Sequence, residues 1–403
     1  MKRYCINFKY TPDFIEKSMM ECLKTKWKRK DVSYFLAEYG QKLGFYDINF
    51  DKHIVARSIQ KKILAEGKDG FEKMIKEISK VFYNEIVNRS VCFKPIVYQE
   101  RYDLCSKKTR IIGISSIKQQ IFDYIAVNSA KSMFMSKIYT YQCASIKGRG
   151  QLYGVRAICR WVRKKGNSAK YAFKCDVKKY YPSVCQKTLR DMLKRDLKND
   201  DILYVMYTLL DTYITGGLCI GSYLSQFLAN YYLSYACHYI MEEMYVIRRT
   251  KKCKAGKRVN LVSHTLFYMD DIIMFSSNKK NLRKASVLLE KFLHDNLELE
   301  LKGKKEFFKT ESRPIDMMGY VIYKDHIEIR RHIFLKMRKL LIKYKDQSKK
   351  MSVKDARTIL SYKGYIDNSD SEKFKKKYKA VRTLNKARKV VSDYDCRIHR
   401  KTA

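Results

Sequence analysis

The stretch Leu266-Phe267-Tyr268-Met269-Asp270-Asp271-Ile272-Ile273-Met274-Phe275 sets two adjacent carboxylates between two apolar arms of strand-forming residues. Such arms pair as a β-hairpin, which the sequence predicts with Asp270-Asp271 at its tip. Buried arms would pin the acids in place. Two carboxylates beside a dry sheet repel each other unless a cation lies between them, and hard oxygen ligands suit Mg²⁺. Read alone, the pair is also what a solvated turn looks like, because Asp is a common turn residue.

A second segment narrows the choice. Tyr171-Ala172-Phe173-Lys174-Cys175-Asp176-Val177-Lys178-Lys179-Tyr180-Tyr181-Pro182 reads as a strand ending in a lone acid, with the aromatic Tyr181 just beyond. One acid from each of two strands can hold two metals about 4 Å apart, a geometry that activates a 3′-hydroxyl and stabilises departing pyrophosphate. Without the hairpin, Asp176 would read as a helix cap or turn acid. Between these segments lies Gly216-Gly217-Leu218-Cys219-Ile220-Gly221-Ser222-Tyr223-Leu224-Ser225-Gln226. Its glycines open a loop whose backbone can approach a nucleotide, and its small polar residues lead into a long helix expected to end near Ile247.

Composition agrees with a polyanionic partner. The 403 residues carry 85 Lys+Arg against 41 Asp+Glu, a formal charge of +44, and a charge this large stores self-repulsion that nucleic acid would relieve. A hydrophobic fraction of 46%, with 16 Gly and 4 Pro, argues for a packed chain rather than a disordered one. No apolar run is long enough for a membrane span and no leader is evident, so the expectation is a soluble, cytoplasmic protein without a membrane partner. Twelve cysteines without a C-x-x-C pair point to reduced thiols rather than zinc or disulfides. None of the seven histidines has metal-ligand spacing with another, and His264 reads as packed in a strand.

Along the chain, residues 1–90 read as a basic helical lead-in with the periodic apolar set Phe71, Met74, Ile75, Ile78 and Phe82. Residues 91–170 hold short β-like runs and a helix, and 171–330 alternate strands with helices in an α+β pattern. Residues 331–403 carry 23 Lys+Arg and 7 Asp+Glu, a net of +16, on three expected helices near 334–346, 352–363 and 372–391. That charge suits a nucleic-acid groove or solvated helix faces.

Taken in order, these segments resemble the reverse transcriptases, over about residues 95–380. Asp176 matches the first catalytic acid of the family's palm, and Tyr268-Met269-Asp270-Asp271 matches its Tyr-x-Asp-Asp box. Lys108-Thr109-Arg110-Ile111-Ile112 and Ser145-Ile146-Lys147-Gly148-Arg149-Gly150 are similar to the two fingers motifs. The resemblance implies a right-hand α+β polymerase: fingers over 91–170, a palm with an antiparallel sheet over 171–330 with part of the fingers interleaved, and a helical thumb with its tail over 331–403. It implies two Mg²⁺ ions, with Mn²⁺ as a substitute, at Asp176, Val177, Asp270 and Asp271. Tyr181 falls at the steric gate against ribose 2′-hydroxyls, and Ile220, Gly221 and Gln226 fall in the nucleotide loop. Arg110, Lys147 and Arg149 would bind triphosphate, a template phosphate or solvent. Lys302, in Leu299-Glu300-Leu301-Lys302, would protonate pyrophosphate, with Lys304 and Lys305 as competitors. Met318, Gly319 and Tyr320 resemble the primer grip. Partners would be an RNA template, the DNA product and dNTPs.

Most relatives carry Pro-Gln-Gly where this chain has Cys219-Ile220-Gly221. The replacement, with Ser225-Gln226, resembles the bacterial enzymes of diversity-generating retroelements and related phage-defence lineages, and implies low fidelity. Three roles stay open on the sequence: a retroelement polymerase, a defence enzyme copying a dedicated noncoding RNA (with or without an accessory protein) or polymerising without a template, and an idle RNA-binding scaffold.

Overall fold

The computed structural model describes residues 3–103, 108–164, 166–214, 216–250, 253–346 and 348–402. The chain divides into two interleaved compact units, one of Met1–Ile138 and Lys179–Leu233 with Thr402–Ala403, the other of Tyr139–Lys178 and Ser234–Lys401.

The first unit is mainly helical. The helix Pro12–Leu23 starts where Thr11 accepts the Phe14 N–H at 3.2 Å, ahead of Pro12 in the first turn, an economical cap. The helix Glu72–Val87 buries Met74, Ile75, Ile78 and Phe82 on one face, and the Phe82 ring lies 5.1 Å from Phe122 on the helix Ile117–Ser129. Two strands, β1 (Val97–Asp103) and β2 (Lys108–Ile114), form an antiparallel ribbon in which Arg101 is the direct partner of Arg110.

In the second unit the strands are β3 (Gln142–Cys143), β4 (Tyr171–Asp176), β5 (Tyr245–Thr250), β6 (Cys253–Asn260), β7 (His264–Tyr268), β8 (Asp271–Ser276), β9 (Glu306–Lys309), β10 (Ile315–Met317), β11 (Tyr320–Ile322) and β12 (Ile327–Ile329). Five make one sheet in the order β3-β7-β8-β4-β9, antiparallel except for the β3–β7 pair. Ile272 through Phe275 are all fully buried, which requires cover on both faces of β8. On one side Ile273, Phe275 and Leu266 join Val155, Ile158 and Trp161 of the helix Gln151–Arg163; the helix Lys279–Leu297 packs on β4 and β8. His264 at the start of β7 stacks on Trp161, with centroids 4.8 Å apart. The C-terminal helices close a separate cluster around Met337, Leu341, Tyr344 and Ile359.

Three local expectations change. The helix Tyr223–His238 passes through a π turn at Tyr239–Glu243 and gives way to β5, because Val246 and Ile247 pair with β6 instead of continuing the helical stripe. The hairpin tip is Met269-Asp270, while Asp271 is already in β8, opposite Tyr268. Among the described residues, 331–402 hold five helices (Arg331–Lys343, Val353–Ser361, Lys363–Asp367, Glu372–Lys377 and Ala380–Thr402), and the break within 372–391 is at Lys379, φ +48°. That turn lets Phe374 and Tyr378 on one side and Ala380, Leu384 and Ala387 on the other reach the same core. Among the described residues no helix is long and apolar enough to cross a membrane. Ten of the cysteines are free thiols; Cys105 and the side chain of Cys253 lie outside what the structure describes.

Candidate active site

Asp176 is the last residue of β4 and Asp271 the first of β8, and the two are direct cross-strand partners. Asp270 sits in the two-residue turn before Asp271, and its carbonyl accepts the Val177 N–H at 3.1 Å. Met269 makes that turn with φ +53°, a left-handed conformation that costs a non-glycine residue about 1–2 kcal/mol. Sheet packing therefore holds three carboxylates at one strand end against their own repulsion. Burial first, then the Asp176 charge, pushes the Asp270 carboxyl up to about 6. Burial raises Asp271 as well.

Lys302 supplies the counter-charge: its ammonium pairs with Asp176 and lies 4.0 Å from Asp270 Oδ2. The backbone aims it there. Lys302 N–H donates to the Asp176 carbonyl at 2.8 Å, and Lys178 N–H to that of Glu300 at 2.8 Å. Lys305 is instead paired with Glu290, and Lys304 with Glu306. Among the described residues no three His, Cys, Asp or Glu side chains already close into a metal shell. The donor set at Asp176, Asp270 and Asp271 is nevertheless all hard oxygen, and it has already drawn in one cation, which is the chemistry a divalent ion fits.

In the first unit, the segments bearing Tyr181, Ile220, Gly221 and Arg110 are brought together. Leu218 N–H donates to the Tyr181 carbonyl at 2.8 Å, and a Cβ on Gly217 would lie 2.5 Å from the Tyr181 and Pro182 carbonyl oxygens. Gly113 N–H on β2 donates to the Ile220 carbonyl at 2.8 Å. Gly221 has φ +118°, and a Cβ there would lie 2.4 Å from the Gly113 oxygen, so only glycine allows this approach. Arg110 faces Arg101 across the ribbon, a like-charge pair that an anion would stabilise. Gln226 is half-buried on the helix that follows the loop.

The remaining assignments stand elsewhere in the second unit. Lys147 is exposed, and the Arg149 guanidinium donates to the Tyr139 carbonyl at 3.1 Å. Met318 and Gly319, with φ +56° and +80°, form the two-residue turn between β10 and β11. The side chains of Met318 and Tyr320 are buried, which leaves the turn's backbone as the surface offered to a ligand.

Several contributors went unread in the sequence. Lys174, two residues before Asp176 and hence on the same face of β4, donates to the Asp316 carbonyl at 2.7 Å and holds down the Asp271 carboxyl; strand alternation was the available signal. Arg330 bonds Asp316 at 2.5 Å and acts on Asp271 in the same sense. Gln151 donates to the Met318 carbonyl and, at 3.1 Å, to the Tyr365 hydroxyl, bracing the turn. Asp123 anchors the nucleotide loop: its carboxylate accepts the Ser222 hydroxyl at 2.8 Å and the Tyr223 N–H at 2.9 Å, and burial drives its pKa up to about 7.

No curated protein sequence matches this chain. The model of the family described as reverse transcriptase (RNA-dependent DNA polymerase) matches residues 99–322, more than half of the chain and inclusive of all three aspartates. The chain thus belongs to the reverse transcriptase family, and is an RNA-directed DNA polymerase, a nucleotidyltransferase that acts on a nucleic-acid template with dNTPs.

Proposed function

We propose that this polymerase extends a primer 3′-end on an RNA template at Asp176, Asp270 and Asp271, within a right-hand arrangement of fingers (91–170), palm (171–330) and thumb (331–403). The observation that carries the reading is the cross-strand pairing of Asp176 with Asp271 beside the turn acid Asp270, three carboxylates whose mutual repulsion calls for cations. Two Mg²⁺ ions at these groups and the Val177 backbone would supply charge stabilisation for in-line attack on the α-phosphate and for departure of pyrophosphate.

The chain's own residues do the rest. The sheet fixes the carboxylates before substrate arrives, so no reorganisation is needed during reaction. Lys302, a cation already seated at Asp176, is placed to give a proton to the leaving pyrophosphate. Tyr181 closes the space that a ribose 2′-hydroxyl would need. Gly221 keeps the loop backbone open toward the nucleotide, while Ile220 offers it no hydrogen bond and Gln226 lies one turn into the following helix. Arg110, Lys147 and Arg149 serve the triphosphate or the template phosphates, and the Met318–Tyr320 turn holds the primer end through its backbone. Loss of the polar contact at Ile220 fits an error-tolerant enzyme of the bacterial retroelement lineages. Extension of a DNA primer on an RNA template tests the reading: the wild-type chain should incorporate dNTPs with Mg²⁺, and Asp176→Asn should not.

A further inference from the structure

The helix Gln151–Arg163 turns Val155, Ile158 and Val162 into the core. Its opposite face carries Arg156, Arg160 and Arg163, all exposed and aligned at helical spacing. The three guanidinium groups line a cavity of about 840 Å³ whose walls include Gly148, Gly150 and Ile327 but no carboxylate. Arg163 is oriented by the Lys324 and Asp325 carbonyls, at 3.1 and 3.2 Å, which fix the group without cancelling its charge. Arg156 and Arg160 have no ion pair among the described residues. Asp370, whose charge reaches Cys159 in the cavity wall, is engaged by the Ile327 N–H at 2.7 Å. Neither Lys147 nor Arg149 lines this space.

A solvated helix face ordinarily mixes signs, and stacked like charges three and four residues apart are unfavourable unless an anion bridges them. Guanidinium forks match phosphate oxygens, and Tyr153 adds a ring to the same wall. Helix rise sets Arg163 about 10 Å along the axis from Arg156, which spans about three nucleotides at a stacked strand's rise of about 3.4 Å. We infer that the Arg156–Arg160–Arg163 cavity is a second nucleic-acid site, which grips the phosphodiester backbone of a single strand. The inference rests on the polymerase reading only for the identity of the anion.

The test uses the full chain and labelled single-stranded RNA and DNA oligomers of one sequence, with affinity followed between about 50 and 200 mM salt. Arg156→Gln/Arg160→Gln should flatten the log–log salt slope by about 1.4, so that the wild type loses about sevenfold more affinity across that window than the variant. The charge-matched Lys284→Gln/Lys291→Gln should keep the wild-type slope. A change with RNA alone or DNA alone identifies the strand and supports the site. An unchanged slope with both, an equal change in the lysine control, or displacement of the oligomer by inorganic phosphate at matched phosphate concentration overturns it. Photocrosslinking of an iodouridine RNA or an iododeoxyuridine DNA to the wild-type chain should mark peptides within 148–163, and their absence with both strands overturns the site whatever the variants' folding. Primer extension separates the two readings: extension without a slope change removes the groove alone, and a slope change without extension removes the polymerase reading alone.

Discussion

Replacing Asp123 by Asn should flatten the pH dependence of stability without loosening the nucleotide loop. The carboxyl is buried on the helix Ile117–Ser129, accepts from Ser222 and the Tyr223 N–H, and has its pKa raised from 3.8 to about 7 by burial. The folded chain keeps this proton up to about pH 7, whereas the unfolded chain releases it near pH 4. Folding therefore takes up a proton between these values, and stability falls as pH rises through them. A shift of about three units corresponds to about 4 kcal/mol, lost at up to about 1.4 kcal/mol per pH unit and fully absent above the folded value. For a unit of this size that is a slope of about 3–5 °C in Tm per pH unit. Asn retains the acceptor for Ser222 and Tyr223 and cannot ionise. Calorimetric melts from pH 4.5 to 8 should therefore show the variant's Tm falling less steeply than the wild type's, with the curves converging at the acid end and the variant higher at pH 8. Parallel curves would refute the assignment of this slope to Asp123.

Asp176→Ala and Asp270→Ala should each reduce dNTP incorporation below about one thousandth of wild type, with melting temperatures little changed; extension at wild-type rate by either variant rules out the triad. Gly221→Ala must seat a Cβ 2.4 Å from the Gly113 oxygen at φ +118°, a strain of about 1–3 kcal/mol, so calorimetry should show a lower Tm and primer extension a weaker dNTP response, while an unaltered melt would mean the ribbon and loop are not locked together. Tyr181→Ala should raise ribonucleotide over deoxyribonucleotide incorporation, and an unchanged sugar preference in competition assays removes it from the sugar site. Ile220→Gln should lower misincorporation by restoring a hydrogen bond that misaligned pairs cannot make; product sequencing with the same error spectrum would count against the loop's role in fidelity.

The parts of this site that were legible in the sequence are those whose chemistry is written into residue type at short range. Apolar arms around Asp270-Asp271, a strand ending at Asp176 and the Gly216–Gly221 loop each announce a local conformation, and chain order links them. The boundaries that moved did so where long-range pairing overrode local pattern: Val246 and Ile247 left the helix to pair with β6, and Lys379 broke a helix so that two short stretches could share one core. What tunes the acids was not legible, because it depends on contacts far apart in sequence. Lys302 reaches Asp176 across 126 residues, and Gln151 reaches Met318 across 167 and Tyr365 across 214. Asp123 reads locally as one polar residue on an amphipathic helix; only the burial supplied by the loop 99 residues away turns it into an acid that titrates near neutrality. Residue type thus declared which groups could act, while the tertiary environment sets their charge. The sequence pattern is silent on that environment because a proton's affinity depends on everything packed around the group, not on its neighbours along the chain.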